Sequence, residues 1–235
     1  MRVESIGRRA TLIAALTVPV FACSSGEPET AFASSRTVSS SMETHSTQSL
    51  APVKGEALRL VLASGGNVAR YRVREQLVGR DLPNDAVGET KSLTGALSID
   101  SSGKVIRDAS KFTVDAASFV SDRDRRDGYV RGRLLEADTY PTIILVPTSI
   151  RGVNLPLPKT GNAAIEMNAD LTVRGVTRPT VWKGTVQFAN GSVTGTASTA
   201  FTFDDIQLEQ PQVPVLLSVA DTIKLEIDFN LVAQP

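Results

Sequence analysis

The chain has 235 residues, 41% hydrophobic and 21% charged, with 25 basic and 25 acidic side chains, one histidine and one cysteine. A lone cysteine excludes an intramolecular disulfide, and a balanced charge with no basic field leaves no footprint for nucleic acid. With no histidine or cysteine after His45, zinc sites, most other transition-metal sites and His-assisted nucleophiles are excluded from the rest of the chain.

At the start, Arg2, Arg8 and Arg9 precede an apolar run from Ala10 to Ala22 that stops at Cys23. The run is too short to span a bilayer and has the charged-then-apolar layout of an export signal. Val20-Phe21-Ala22-Cys23 has the form of a lipoprotein cleavage box, with an aliphatic residue, a small residue and then cysteine. Two readings follow: Cys23 becomes the first mature residue and carries a lipid anchor, or it is a free thiol in a discarded signal. The Arg8-Arg9 pair suggests a twin-arginine route, but its surroundings match that signal poorly and the route stays open. The expectation is a lipoprotein signal at residues 1–22 and an exported, membrane-anchored product of the cell envelope.

Residues 23–55 are rich in Ser and Thr, poor in large apolar side chains and without a period of 2 or 3.6. Such a segment buries too little surface to offset the entropy of ordering, so a disordered tether is expected, with His45 solvated in it. Removing Met1–Ala22 takes away three arginines and one glutamate, which leaves a net charge of −2. No polybasic patch flanks the tether, so membrane attachment would rest on the lipid.

Residues 56–235, about 180 in all, suffice for one well-buried core. Ala57–Ala63 reads as a short strand. Val68–Val78 alternates, with Tyr71, Val73 and Leu77 on one face and Arg70, Arg72 and Arg74 on the other. Leu93–Ile99 groups Leu93, Leu97 and Ile99, and Phe112–Phe119 opens by setting Phe112 and Val114 against Thr113 and Asp115. Between them and the next strand, Asp122–Glu136 has opposite charges at i,i+4 (Asp122–Arg126, Arg123–Asp127, Asp127–Arg131) and Val130 and Leu134 on one face. That spacing predicts a short helix ended by Tyr140-Pro141.

Thr142–Ser149 is apolar throughout, as in a strand buried on both faces or an edge strand weakened by Pro147. Ala163–Arg174 points Ile165, Met167, Leu171 and Val173 inward. Leu171–Gly184 reads as a strand with a glycine corner. Thr180–Phe188 and Ser192–Phe203 flank Asn190-Gly191, a hairpin signal because both turn positions favour positive φ. Thr222–Val232 alternates Ile223, Leu225, Ile227, Phe229 and Leu231 with polar residues. Period-2 alternation over so many segments predicts an all-β antiparallel sandwich or barrel. About eight strands closed into a barrel leave an interior that side chains fill or that holds one apolar ligand, and the pattern does not choose between these.

The acids Asp122, Asp124 and Asp127 fail as a calcium loop: Arg126 and Arg133 fall at ligand positions 5 and 12, and Asp127 falls where glycine is required. No phosphate-cradling glycine loop is present. Carboxylates such as Glu226 and Asp228 fall on the polar face of their strand, so a non-enzymatic domain is expected with no metal or cofactor.

Several motifs, in order, resemble the YceI-like family. They are Ser121-Asp122, Arg126-Asp127-Gly128, Tyr140-Pro141-Thr142-Ile143, the run from Asp170 to Pro179, and Val219-Ala220-Asp221-Thr222-Ile223-Lys224-Leu225, together covering Leu58–Val232. The resemblance implies an eight-stranded lipocalin-like barrel with the 122–136 helix near one end. It implies an apolar channel for a polyisoprenoid or isoprenoid quinone, held without catalysis, and homodimers in many members. The chain departs from the family at Tyr129, where many members have histidine, and in the strand YRVREQLVG. A chain entering a preformed channel gains about 0.8 kcal/mol per buried CH₂ before ordering costs.

Candidate channel residues are Tyr71, Val73, Leu97, Phe112, Val114, Ile143 and Leu145, then Met167, Leu171, Trp182, Phe201, Phe203, Leu225 and Ile227; each also reads as an ordinary core residue. Arg123, Arg126, Arg131 and Arg133 suit either an anionic head group or pairing within the helix, the latter being the simpler account. The functional expectation is an anchored protein that binds, carries or sequesters a long apolar lipid. The alternative is an exported domain with a filled core, acting through protein contacts in the envelope or in stress.

Overall fold

A computed structural model describes residues 55–234. The expected signal, Cys23, His45 and nearly all of the tether lie outside the described residues. Ten antiparallel strands follow one another: β1 (Glu56–Leu62), β2 (Val68–Leu77), β3 (Asn84–Thr90), β4 (Leu93–Asp100), β5 (Lys111–Asp115), β6 (Thr142–Arg151), β7 (Thr160–Val173), β8 (Val176–Ala189), β9 (Ser192–Thr202) and β10 (Leu216–Gln234). One short helix, α1 (Asp124–Tyr129), runs into a π turn at Val130–Leu134.

The ten segments occupy eight positions of a closed barrel. Along β10, β1 pairs from Arg59↔Gln234 to Leu62↔Leu231, and β2 continues on the same edge from Val68↔Asp228 to Leu77↔Leu216. On the other side, β4 lies beside β1 and β3 beside β2. Thus β1 and β2 form one long interrupted strand, and β3 and β4 another. Neighbour-to-neighbour pairing then runs through β5, β6, β7, β8 and β9 back to β10, which closes the barrel at the level of β1 and β4, while the outer edge of β3 is tied down by the isolated Glu89↔Val120 bridge. This is the lipocalin-like, eight-position barrel that the motifs implied.

The local differences have physical causes. β3 escaped the sequence reading because its buried positions are Ala86, Gly88 and Thr90, too small or polar to show an apolar alternation. The strand at Phe112 ends at Asp115, whose carboxylate accepts from the Ala117 amide and starts a 3₁₀ turn. β6 is not an edge strand. Its Pro147 is fully buried, and a register shift between Pro147 and Ser149 absorbs the missing N–H. The glycine corner at 174–175 is a two-residue hairpin turn, Val173 pairing with Val176, with Arg174 at φ 49 and Gly175 at φ 76. Asn190-Gly191 makes the second such turn, as expected.

The helix stands where the charge spacing put it but ends at Leu134, short of Tyr140-Pro141. Of its three expected ion pairs, only Asp122–Arg126 forms. Asp127 is buried and turned inward, accepting from the Ser121 amide at 2.9 Å and the Ser121 hydroxyl at 2.6 Å, so it meets neither Arg123 nor Arg131.

Side chains fill one end of the barrel. Leu60, Leu97, Phe112, Trp182, Phe188 and Leu231 belong to a continuous core there, and Val153, Leu155 and Leu157 of the β6–β7 loop pack against it. The Trp182 indole N–H donates to Thr180 Oγ1 at 2.9 Å, and that hydroxyl donates to the Ala169 carbonyl, so the polar atoms of this packing are paired.

Candidate functional site: an apolar cavity at one end of the barrel

The other end is open. Alternation along β2 sends Tyr71, Val73, Glu75 and Leu77 inward, and Arg70, Arg72 and Arg74 outward. The outward arginines pair across strands with Asp228 and Glu89, with Asp85 and Glu226, and with Asp85. A hydrogen bond from Lys224 holds the Glu226 carboxyl below its usual range, with Arg72 adding to the effect. Glu226 and Asp228 therefore sit on the polar face, as their register predicted. These partly exposed pairs each contribute little stability, and they secure which face of β2 looks inward.

The inward face of β2 borders a cavity of about 710 Å³. β10 contributes Ile223 and Leu225, β9 contributes Phe201, and Phe203 follows just past the end of β9. Val130, Leu134 and Leu135 close over it from the helical segment, and Val213–Leu216 form its far lip. The volume falls within the range of about 300–1,000 Å³ typical of small-molecule sites.

Of the fourteen candidate channel residues, the structure brings six together on this cavity: Tyr71, Val73, Ile143, Phe201, Phe203 and Leu225. Leu97, Phe112, Leu145, Leu171 and Trp182 are buried in the core and Val114, Met167 and Ile227 pack against it, all eight away from the cavity wall, while Phe201 and Phe203 belong to both core and wall. All fourteen share the inward face; position along the barrel axis separates them, which alternation does not encode. The lip at Val213–Leu216 was missed because VPVLL carries no alternation.

One polar cluster interrupts the apolar wall. Arg126 from α1 reaches across to Glu75 of β2 at 2.6 Å, with side-chain exposures of 12% and 8%. Its other nitrogen bonds Asp122 and lies 3.3 Å from the Ser121 hydroxyl. Glu75 also accepts from the Asn84 amide at 3.2 Å. Burial lowers the Arg126 pKa, but Asp122 and Glu75 together outweigh it and leave the guanidinium more firmly protonated than usual. Glu75 escaped notice as one acid in an apolar stripe, although its place two residues before Leu77 marks it as inward.

Next to this pair, Tyr71 stacks obliquely on Phe119 at 5.7 Å, and Gly88 of β3 makes room for it: a Cβ there would lie 2.3 Å from the Tyr71 ring. Burial pushes the Tyr71 hydroxyl up to about 12, against the nearby positive charge of Arg126, so it remains a neutral hydrogen-bonding group. Arg123 and Arg125 also border the cavity; Arg131 and Arg133 are exposed and do not line it. The site is thus an apolar container with one internal ion pair. Among the described residues no group of three acids, histidines or cysteines is placed to hold a metal.

A family model, the YceI-like domain, matches residues 71–231. A solved polyisoprenoid binding domain from Saccharophagus degradans, implicated in plant cell wall breakdown, is similar in fold with a TM-score of 0.58 and 15% identity, covering 75% of this chain and 98% of that one. BcnA from Burkholderia cenocepacia gives a TM-score of 0.51 at 18% identity, covering 74% of this chain and 99% of its own. No curated protein matches the chain.

Proposed function

The chain belongs to the YceI-like family, and from that premise we propose that its barrel binds a long apolar lipid of the polyisoprenoid or isoprenoid quinone class without transforming it. The observation that carries this reading is the cavity: about 710 Å³, walled almost wholly by aliphatic and aromatic side chains and open at one end. The similarity to the Saccharophagus degradans polyisoprenoid binding domain supports the choice of ligand. An apolar tail entering such a space gains about 0.8 kcal/mol per buried CH₂ and needs no polar contact for affinity. A tail longer than the cavity continues out through the mouth, because the filled core stops it at the other end.

The same reading takes the protein to be exported and held at a membrane by a lipid on Cys23, so that the barrel works within reach of a bilayer. A filled-core domain acting only through protein contacts is the weaker reading, since one end of the barrel is not filled. Extraction of the purified chain with organic solvent, followed by mass spectrometry, tests the proposal. A prenyl lipid in about one copy per chain is expected; repeated absence of lipid, with no uptake of added polyprenol, would refute it.

A further inference from the structure

The rim of the open end is apolar on its outer side as well. Val78, Leu82, Val215 and Leu217 are 57%, 77%, 57% and 64% exposed, half of the eight large hydrophobic side chains exposed among the described residues. They come from two segments locked together: Leu77 pairs with Leu216, and the Val78 amide donates to the Val215 carbonyl at 3.0 Å. Isolated exposed apolar residues are ordinary, whereas a grouped set at one end of a molecule marks a contact surface. Val213, Pro214, Val215 and Leu216 also line the cavity. Apolar surface therefore runs from inside the barrel over the lip at Val215 and Leu216 to the exposed Leu217 outside.

A basic segment borders the same mouth. Residues 121–135 hold five arginines and three aspartates. Arg126 is engaged with Glu75 and Asp122, and Asp127 faces inward to Ser121. What remains outward is Arg123, Arg125, Arg131 and Arg133 against Asp122 and Asp124, all exposed; Arg123 lies 3.7 Å from Asp122, which leaves Arg125, Arg131 and Arg133 in excess over Asp124. Guanidinium groups beside aliphatic side chains make a surface matched to the phosphate and acyl layers of a bilayer.

We propose that the open end of the barrel docks on the surface of an anionic phospholipid bilayer, with Val78, Leu82, Val215 and Leu217 entering the acyl boundary and the outward arginines resting on phosphates. This rests on the reading that the cavity holds a lipid, and it supplies the path: a chain leaving the mouth passes over Val213–Leu216 into the bilayer and never meets bulk water. Charge complementarity and continuity with the cavity favour a bilayer over a second protein as the occupant.

The test uses the full chain with Cys23→Ser, which removes the sole native thiol. A polarity-sensitive dye is placed on Leu82→Cys or Leu217→Cys, and on Val181→Cys, which is exposed on the barrel wall away from the mouth. On vesicles of phosphatidylglycerol and phosphatidylcholine the dye at 82 and 217 is expected to shift to the blue and brighten, with little change at 181. Phosphatidylcholine alone should give a much weaker response. Arg123→Gln and Arg125→Gln should each weaken partitioning about fivefold. No response at 82 and 217, an equal response at 181, or indifference to both arginine replacements overturns the proposal. A response that follows protein concentration without vesicles identifies a second copy as the occupant and also overturns it. Solvent extraction of the same samples separates the claims: lipid present with a silent rim defeats docking alone, and a responsive rim without lipid defeats the lipid-holding reading alone.

Discussion

The two ends of this barrel are built from the same eight strand positions with the same inward alternation, yet one is packed solid and the other holds a cavity. The filled end closes because large side chains from facing strands meet, with Trp182 at its middle and the β6–β7 loop against its base. At the open end Val130, Leu134 and Leu135 of the helical segment and Phe203, Ile206 and Leu208 of the later loop border the space and leave about 710 Å³ between them and the strands. Strand alternation therefore decides which residues face inward. Barrel length and what crosses the axis decide whether they touch.

Substitutions can set the two ends against each other. Trp182→Ala, in the filled end, should cost about 3–5 kcal/mol in denaturant unfolding, since it opens a void and strips Thr180 of a hydrogen-bond donor. Leu225→Ala, on the cavity wall, should cost only about 1 kcal/mol because that side chain already lacks neighbours on one side. Equal losses would mean the cavity is not open in solution. Next in size is the ion pair that ties α1 to β2. Arg126→Met leaves Glu75 buried without its cation and should cost about 3 kcal/mol, while Glu75→Leu with Arg126→Met should recover most of it; failure of the double replacement to recover would show that the two groups act independently.

Enlargement gives a smaller and opposite contrast. Ala169→Leu in the filled core should destabilise by about 1–3 kcal/mol, whereas Val73→Trp should leave thermal stability nearly unchanged and occupy the cavity. The smallest effect concerns Tyr71. Its hydroxyl, raised to about 12, keeps its proton better in the folded state than in the unfolded chain. The stability it contributes is complete below its ordinary pKa of about 10 and is lost as pH climbs from there through about 12. An absorbance titration should show a late phenolate component that Tyr71→Phe removes. If the component that Tyr71→Phe removes titrates at about 10 instead, that ring lies in water.

The sequence was most legible where burial has a period. β2, β7 and β10 stand out because large apolar side chains alternate with charged ones, and Asn190-Gly191 because its turn requires positive φ at both positions. It was least legible where the inward side chains are small or polar, as at Ala86, Gly88 and Thr90 of β3. The cavity was half legible. Tyr71, Val73, Ile143, Phe201, Phe203 and Leu225 carry the inward pattern, but so do Leu97 and Trp182, which are packed. Only the three-dimensional offset between the ends separates the two sets. Glu75 and Arg126 lie 51 residues apart and find each other through the fold, so charge spacing within the helix credited Arg126 only with its local partner Asp122.

The central claim is that the open end, and not the barrel as a whole, holds an apolar chain. Delipidated protein titrated with a labelled polyprenol tests it most directly, comparing the parent with Val73→Trp and Leu225→Trp combined in one chain. The account predicts about one chain bound per parent barrel and loss of binding in the filled variant at unchanged fold. Equal uptake by the filled variant, or none by the parent, would contradict it.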